Sequence, residues 1–393
     1  MATSRDRCPS CAAPDVVSFY AVRDVPAHSV LLMPTAEEAR TYPRGDIELA
    51  FCRACGFIFN RVYDAGLQEY SSRYEETQSF SPTFNAFHRS LAARLIERYH
   101  LRGKTVLEIG CGKGEFLLLL CELGGNRGVG FDPSFRKDRY ATLPEDRVVF
   151  IADFYSERYA FYRADFVCCK MTLEHIPDTA AFLSMVRATV GARPDTLVFF
   201  QVPDVVRILR EVAFWDIYYE HCSYFSLGSL ARLFRRVGFD LVDLERDYAD
   251  QYLMVTARPG AGSGPPLAGE DDLASLARDV GRFAARCQGR IAGWRRFLRE
   301  ARRAGRRIVL WGGGSKAVAF LTTLGIEDEV QYVVDINPYK QGTFTPGTGH
   351  PIVGPEALPT SPPDIVVVMN PVYREEIERQ LRQVGVFPRL LVV

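Results

Sequence analysis

The stretch Val106-Leu-Glu-Ile-Gly-Cys-Gly-Lys-Gly-Glu-Phe116, followed by Gly128-Val-Gly-Phe-Asp132, decides the fold of this chain. An apolar run predicts a buried strand, Gly110, Gly112 and Gly114 a tight turn, and the residues behind them a helix. A second strand then ends in an acid. Together they are the parts of a nucleotide-binding βαβ unit. The glycines let backbone approach a ligand closely and adopt turn conformations that a side chain forbids. The spacing departs from the dinucleotide fingerprint, where the third glycine comes later and packs the helix beside a pyrophosphate. Here an acid, Glu108, stands in front of the loop. Asp132, at the end of the second strand, is placed to accept hydrogen bonds from both hydroxyls of a ribose.

At 393 residues the chain is too long for one ordinary domain, and two or three are expected. Its 47% hydrophobic and 24% charged residues are those of a globular protein. Forty-eight basic and 48 acidic residues cancel. That balance argues against nucleic acid as the main partner, because neutralising phosphates requires excess positive charge. No apolar run approaches the roughly 20 residues of a membrane span. Met1 to Cys8 lacks the apolar core of a signal peptide. The expectation is a cytoplasmic protein with no membrane partner, whose ten cysteines are reduced or metal-bound.

Those cysteines cluster. Cys8-Pro-Ser-Cys11 and Cys52-Arg-Ala-Cys55 are two Cys-x-x-Cys pairs, offering the four thiolates of a closed, structural zinc site. The gap between the pairs exceeds that of a compact zinc ribbon, so an inserted hairpin or loop must bring them together. A redox dithiol or buried free thiols are the alternatives. Cys111, Cys121, Cys168, Cys169, Cys222 and Cys287 show no ligand spacing and are expected in cores.

Three parts follow: a zinc-binding module over 1–65, a catalytic α/β domain over 66–257 and a second α/β domain over 271–393. Between the last two, the turn-forming run Arg258-Pro-Gly-Ala-Gly-Ser-Gly-Pro-Pro-Leu-Ala-Gly269 reads as a linker, 258–270, with little to pack. A helix is predicted over Phe84 to Tyr99 and a long polar one from about Asp271 to Ala304. Repeated βα units predict two parallel sheets. In the last part, Gly312-Gly-Gly-Ser-Lys-Ala317 with Asp335 matches Gly-x-Gly-x-x-Ala. Read literally it is a dinucleotide fingerprint, and an NAD-dependent oxidoreductase is the rival reading. Lys316 inside that loop equally suits a phosphate of a sugar nucleotide.

The run Glu108-x-Gly-x-Gly-x-Gly114 resembles the first motif of class I S-adenosylmethionine (SAM) methyltransferases. The order of zinc module, SAM domain and a C-terminal unit with Val334-Asp-Ile-Asn-Pro-Tyr-Lys-Gln341 and Pro346-Gly-Thr-Gly-His-Pro-Ile352 resembles, over essentially the whole chain, the zinc-containing C-methyltransferases of nucleotide-linked keto-deoxysugars. That resemblance implies a class I Rossmann-like SAM domain flanked by an N-terminal zinc module and a C-terminal Rossmann-like domain. It implies SAM as methyl donor, a structural zinc, a sugar-nucleotide acceptor and a monomer or weak oligomer.

The resemblance also carries residue roles. Tyr218, Glu220 and His221 match a Tyr-x-Glu-His run facing the transferring methyl, His175 matches the family's His-Ile-Pro, and Tyr74 lines the site. A carbon beside a ketone is nucleophilic only after losing a proton, and a histidine takes one near neutral pH. Glu220 or a tyrosine would orient the base. Asp153 and Phe154 stand where SAM domains recognise adenine, and Lys170 follows the fourth strand, either altering the cofactor site or facing solvent. Two departures, Tyr248-Ala-Asp-Gln-Tyr-Leu253 where relatives carry a Gly-Gly run and Gln201 where they carry an acid, leave a non-sugar natural product as the alternative acceptor.

Overall fold

Alternation of apolar and polar residues near the N terminus produces an antiparallel sheet in the computed structural model, which describes residues 5–393. Strand β1 (Val16–Pro26) leads through helix α1 (Ala36–Thr41) to β2 (Arg44–Cys52), which pairs with β1 and with β3 (Ile58–Asn60). This sheet is not closed within residues 1–65. Its fourth strand, Ser223–Tyr224, comes from far down the chain and sets Tyr224 opposite Ile58.

Helix α2 (Pro82–Tyr99) begins where Ser81 caps the Phe84 N–H and a proline takes the first turn, a position at which its missing N–H costs nothing. It packs Leu91, Leu95 and Ile96 against the next βαβ unit. That unit comprises β4 (Thr105–Ile109), α3 (Glu115–Gly124) and β5 (Arg127–Phe131). There follow β6 (Val148–Ile151), β7 (Phe166–Lys170), α4 (Thr179–Val190), β8 (Leu197–Pro203) and α5 (Val205–Glu211). Beyond them lie β9 (Ser223–Tyr224), α6 (Leu227–Arg236), β10 (Phe239–Asp247) and β11 (Tyr252–Pro259). The sheet order is β10-β11-β8-β7-β4-β5-β6.

Strands β4 to β8 are parallel, but β11 runs antiparallel to β8 and to β10. The expectation of a purely parallel sheet is therefore corrected. Tyr248, Ala249 and Asp250 all take left-handed conformations, with φ of 55°, 54° and 58°, and turn the chain straight back. An antiparallel neighbour needs no crossover helix. The chain reverses direction across the sheet between β4 and β7, which marks the edge where ligands bind.

Helix α7 (Leu273–Arg303) leads into β12 (Ile308–Trp311), α8 (Ser315–Leu324), β13 (Val333–Val334), β14 (Ile352–Val353), β15 (Ile365–Val368), α9 (Arg374–Gln383) and β16 (Arg389–Val392). All pairings in the order β14-β13-β12-β15-β16 are parallel. One apolar core joins this sheet through α7 to α5 and to the inner face of β1 and β2.

The turn-rich run after β11 is not a free linker. The Arg235 guanidinium donates to the Gly264 and Pro265 carbonyls at 2.7 Å each and pairs with Glu270 at 2.7 Å. Glycine-rich backbone packs where side-chain apolar groups are lacking, because one guanidinium satisfies several carbonyls at once. Among the described residues, no helix is long and apolar enough to cross a membrane.

Candidate active site

The C-terminal edges of the parallel strands in the two larger sheets face one shared cavity of about 580 Å³, a size typical of small-molecule sites. Glu108, Gly110, Gly112, Asp132, Asp153, Phe154 and Lys170 line one end, and Gly312, Gly314, Asp335 and Lys340 the other. Tyr74, His175, Tyr218 and His221 stand between them.

At the first end, Gly110 has φ of 69°, and a Cβ there would lie 2.0 Å from Thr172 Oγ1, so only glycine fits. The Gly112 N–H donates to Asp132 Oδ2 at 2.9 Å, while the Ser134 N–H and Oγ donate to Oδ1 at 2.7 Å each. Three donors thus aim the Asp132 carboxylate and leave lone pairs for a ligand diol. Glu108 is 2% exposed and its Oε2 has no partner; burial pushes its carboxyl up to about 8. Gly114 does not line the cavity. With φ of 92° it caps α3, and a Cβ would strike the Phe150 ring at 2.5 Å, so its role is packing.

Lys170 is buried, which removes the solvent-facing alternative. Its Nζ lies 3.0 Å from His88 Nε2 and 3.7 Å above the Phe116 ring, and burial draws its pKa down. The Asp153 carboxylate accepts the Phe154 N–H at 2.8 Å and pairs with Arg158. The Phe154 ring is 59% exposed at the rim, available to a flat partner.

In the middle, Tyr218 and His221 bracket a turn closed by the His221 N–H on the Tyr218 carbonyl at 3.2 Å. That turn runs directly into β9, so pairing of β9 with β3 fixes where His221 stands. Tyr218 Oη is 3.1 Å from His221 Nε2. His175, in the single helical turn after β7, sets its ring perpendicular to His221 at 4.8 Å between centroids and its Nδ1 3.2 Å from Tyr70 Oη. Burial draws the His221 pKa well below the ordinary value and His175 down to about 4. Both imidazoles are neutral at neutral pH and keep a lone pair for a proton.

Glu220 does not orient His221. It points to the other side of the turn, away from the cavity, where Oε1 lies 3.0 Å from His28 Nδ1 and Oε2 accepts the Ser29 N–H at 3.1 Å and the Ser29 hydroxyl. Burial works against ionisation, yet the His28 and Ser29 contacts hold its pKa below the usual range. The Glu69 N–H donates to His28 Nε2 at 2.7 Å, which leaves Nδ1 to carry the hydrogen that meets Glu220. The His28 ring then stands edge-on to Tyr70 and Tyr74, 5.9 Å from each. Glu220 therefore braces the tyrosine wall through His28. Tyr74 is also held from the glycine loop, where Lys113 Nζ donates to its carbonyl at 2.8 Å and to the Ser134 carbonyl at 3.0 Å. Sequence reasoning missed His28 and Lys113. A lone His in an unpatterned segment carries no signal, but a lysine between two loop glycines could have been marked.

At the other end the same construction recurs. The Gly313 and Asn337 N–H groups donate to the two Asp335 oxygens at 2.7 and 2.8 Å. Lys316 is held by an ion pair with Asp216, and the Ser315 hydroxyl donates to Ser29 Oγ at 2.7 Å, since the Ser29 hydrogen goes to Glu220.

Away from the cavity, Cys8, Cys11, Cys52 and Cys55 come together with all four sulfurs within 4.8 Å of one another. Cys8 Sγ lies 3.7 Å from Cys55 Sγ and Cys11 Sγ 3.6 Å from Cys52 Sγ. A tetrahedron with metal–sulfur bonds of about 2.3 Å has edges of about 3.8 Å, so these residues fit zinc.

A methyltransferase-domain family model matches residues 84–244, and a C-methyltransferase C-terminal domain model matches residues 270–387. The chain is similar to C-methyltransferase NovU of Streptomyces niveus, at 27% identity over 390 residues, 95% of this chain and 91% of that protein. Among solved structures, 1,6-didemethyltoxoflavin-N1-methyltransferase of Burkholderia thailandensis aligns at 22% identity and a TM-score of 0.34, over 44% of this chain and 78% of that one. Magnesium protoporphyrin IX methyltransferase of Synechocystis PCC 6803 aligns at 15% identity and a TM-score of 0.35, over 45% and 84%. Likeness at such scores carries no further argument. The two family matches, with the fold and the glycine-loop site, define a class I SAM-dependent methyltransferase. More particularly, the chain carries a C-methyltransferase C-terminal domain behind that methyltransferase domain and is similar over nearly its whole length to a C-methyltransferase. The oxidoreductase reading of the 312–317 loop falls, since that loop lies inside the matched C-methyltransferase domain.

Proposed function

We propose that the protein methylates a carbon of a nucleotide-linked keto-deoxysugar through an enolate, as a step in making a natural product. The observation that carries this reading is the single cavity reaching from one glycine loop to the other, with two neutral histidines and a tyrosine wall between. SAM supplies an activated methyl on a sulfonium sulfur. Asp132 would take its ribose hydroxyls, the unpartnered Glu108 oxygen its ammonium group, and Asp153 with Phe154 its adenine end. The second loop, with Lys340 beside it, would take the nucleotide of the acceptor.

His221 would accept the proton on the carbon next to the ketone. The Tyr218 hydroxyl, now on His221, would turn to the enolate oxygen and stabilise its charge. Holding enolate and methyl in line supplies much of the acceleration. A structural zinc on the four cysteines would hold the sheet that ends at His221. The reading also places the chain in three functional parts, zinc module, SAM domain and acceptor domain.

The test is incubation with ¹³C-methyl SAM and a nucleotide-linked 4-keto-deoxysugar, followed by NMR of the product. A labelled methyl bonded to the carbon beside the ketone is expected; a methyl on oxygen or nitrogen, or no product while SAM binds, contradicts the reading. Within it, Asp132→Ala should weaken SAM binding about 100-fold in calorimetry, since two hydrogen bonds to a charged group contribute about 1.5 kcal/mol or more each.

A further inference from the structure

We propose that Glu174 is the counter-charge of His221, its carboxylate holding the imidazolium formed when His221 takes the acceptor's proton. This rests on the reading of His221 as the base. Glu174 sits one residue before His175 in the turn after β7, is 1% exposed and lines the cavity. Neither of its side-chain oxygens has a hydrogen-bond partner. A buried carboxyl left without partners is costly and rare. The one charge partner within 4.0 Å among the described residues is His221, with Nε2 at that distance from Glu174 Oε1.

The proton transfer explains the arrangement. The acceptor's C–H bond breaks, its electron pair stays on the acceptor as the enolate, and an N–H bond forms at His221. His221 changes from neutral to cationic in a dry pocket that already holds a sulfonium. A second buried cation needs an anion beside it. Glu220 cannot serve, because its oxygens are taken by His28 and Ser29 on the far side of the turn. Glu174 is free to close the short gap once the imidazole is charged. It acts through His221, so it is a positioning residue.

The other titratable groups facing Glu174 are His175 beside it, Tyr70, Tyr218 and Tyr252 across the cavity, Cys169 from β7, and Cys222, whose Sγ donates to the Glu174 carbonyl at 3.7 Å. Burial pushes the tyrosines and cysteines up and His175 down, so all stay neutral near pH 7. Burial also pushes the Glu174 carboxyl up to about 8 in the free protein. Below that pH it is protonated and cannot offset an imidazolium; above it, it can. The rate therefore rises with pH through about 8, and bound SAM, being cationic, moves that rise to lower pH.

The experiment is the pH dependence of methyl transfer by the full chain, wild type against Glu174→Gln. Glutamine keeps the shape and removes the charge. The variant is expected to lose about 100-fold in kcat, with KM for SAM little changed and the Glu174-dependent rise, shifted below pH 8 by bound SAM, abolished; Glu174→Asp should regain part of the rate. A Glu174→Gln enzyme with wild-type activity, or a slow one that keeps the rise, overturns the proposal. Independently, the His221 ring resonance of the ¹⁵N-histidine-labelled wild type should report a titration near pH 8 arising from Glu174. Its absence also overturns the proposal, and this measurement stands even if the variant does not fold. It needs no acceptor. A wild type that shows the titration but leaves the keto-sugar unmethylated refutes the acceptor and not the pair.

Discussion

Methyl transfer by a His221→Ala variant is expected to fall by roughly 10²–10⁴-fold in kcat, the usual contribution of a positioned general base. SAM affinity should be unchanged. His221 stands among Tyr218, His175 and Glu174, whereas the glycine loop and Asp132 lie at the cofactor end of the cavity. Burial keeps its imidazole unprotonated far below neutral pH, so the loss should persist across the whole range in which the protein is folded. Steady-state kinetics and SAM calorimetry on the same preparation separate the two effects. A variant that methylates the same carbon at near wild-type rate would remove His221 from the chemistry.

Cys52→Ser is expected to act on the fold first and on catalysis through it. Cys52 is fully buried at the last position of β2, 3.6 Å from Cys11 Sγ. Structural zinc sites of this kind contribute apparent binding free energies on the order of 10 kcal/mol near neutral pH, comparable with the roughly 5–15 kcal/mol stability of a domain. A three-thiolate set should therefore lose the ion, and the sheet of β1, β2 and β3 should loosen. Strand β9 pairs with β3, and the Asn60 N–H donates to the Cys222 carbonyl at 2.9 Å, so His221 loses its support. Metal analysis should show about one zinc per wild-type chain and none in the variant, with a lower Tm and little activity. A variant that lacks zinc yet keeps its Tm and rate would show that the cysteines do not support the site.

The first βαβ unit was legible because everything that builds it is local. Glycines that need positive φ, an acid at the end of the next strand and a buried apolar run all lie within one stretch. The cysteine pairs were legible because a Cys-x-x-Cys knuckle is itself a short-range geometry. What the sequence hid depends on partners that spacing cannot reveal. The strand that completes the N-terminal sheet follows directly on His221, far from β1 to β3. Glu220 looked like the orienter of its neighbour His221, but its true partner His28 lies 192 residues away. Glu174 stood in plain view inside the Thr172-Leu-Glu-His175 run. Only the packing around it shows that its oxygens have nothing else to hold.

The central claim is that His221 makes an enolate before the methyl moves. It is tested most directly with the keto-sugar nucleotide and S-adenosylhomocysteine in heavy water, where no methyl is available. Wild type should exchange the hydrogen on the carbon beside the ketone for deuterium, and His221→Ala should not. Carbon methylation by a wild type that shows no such exchange, or equal exchange by the variant, would contradict it.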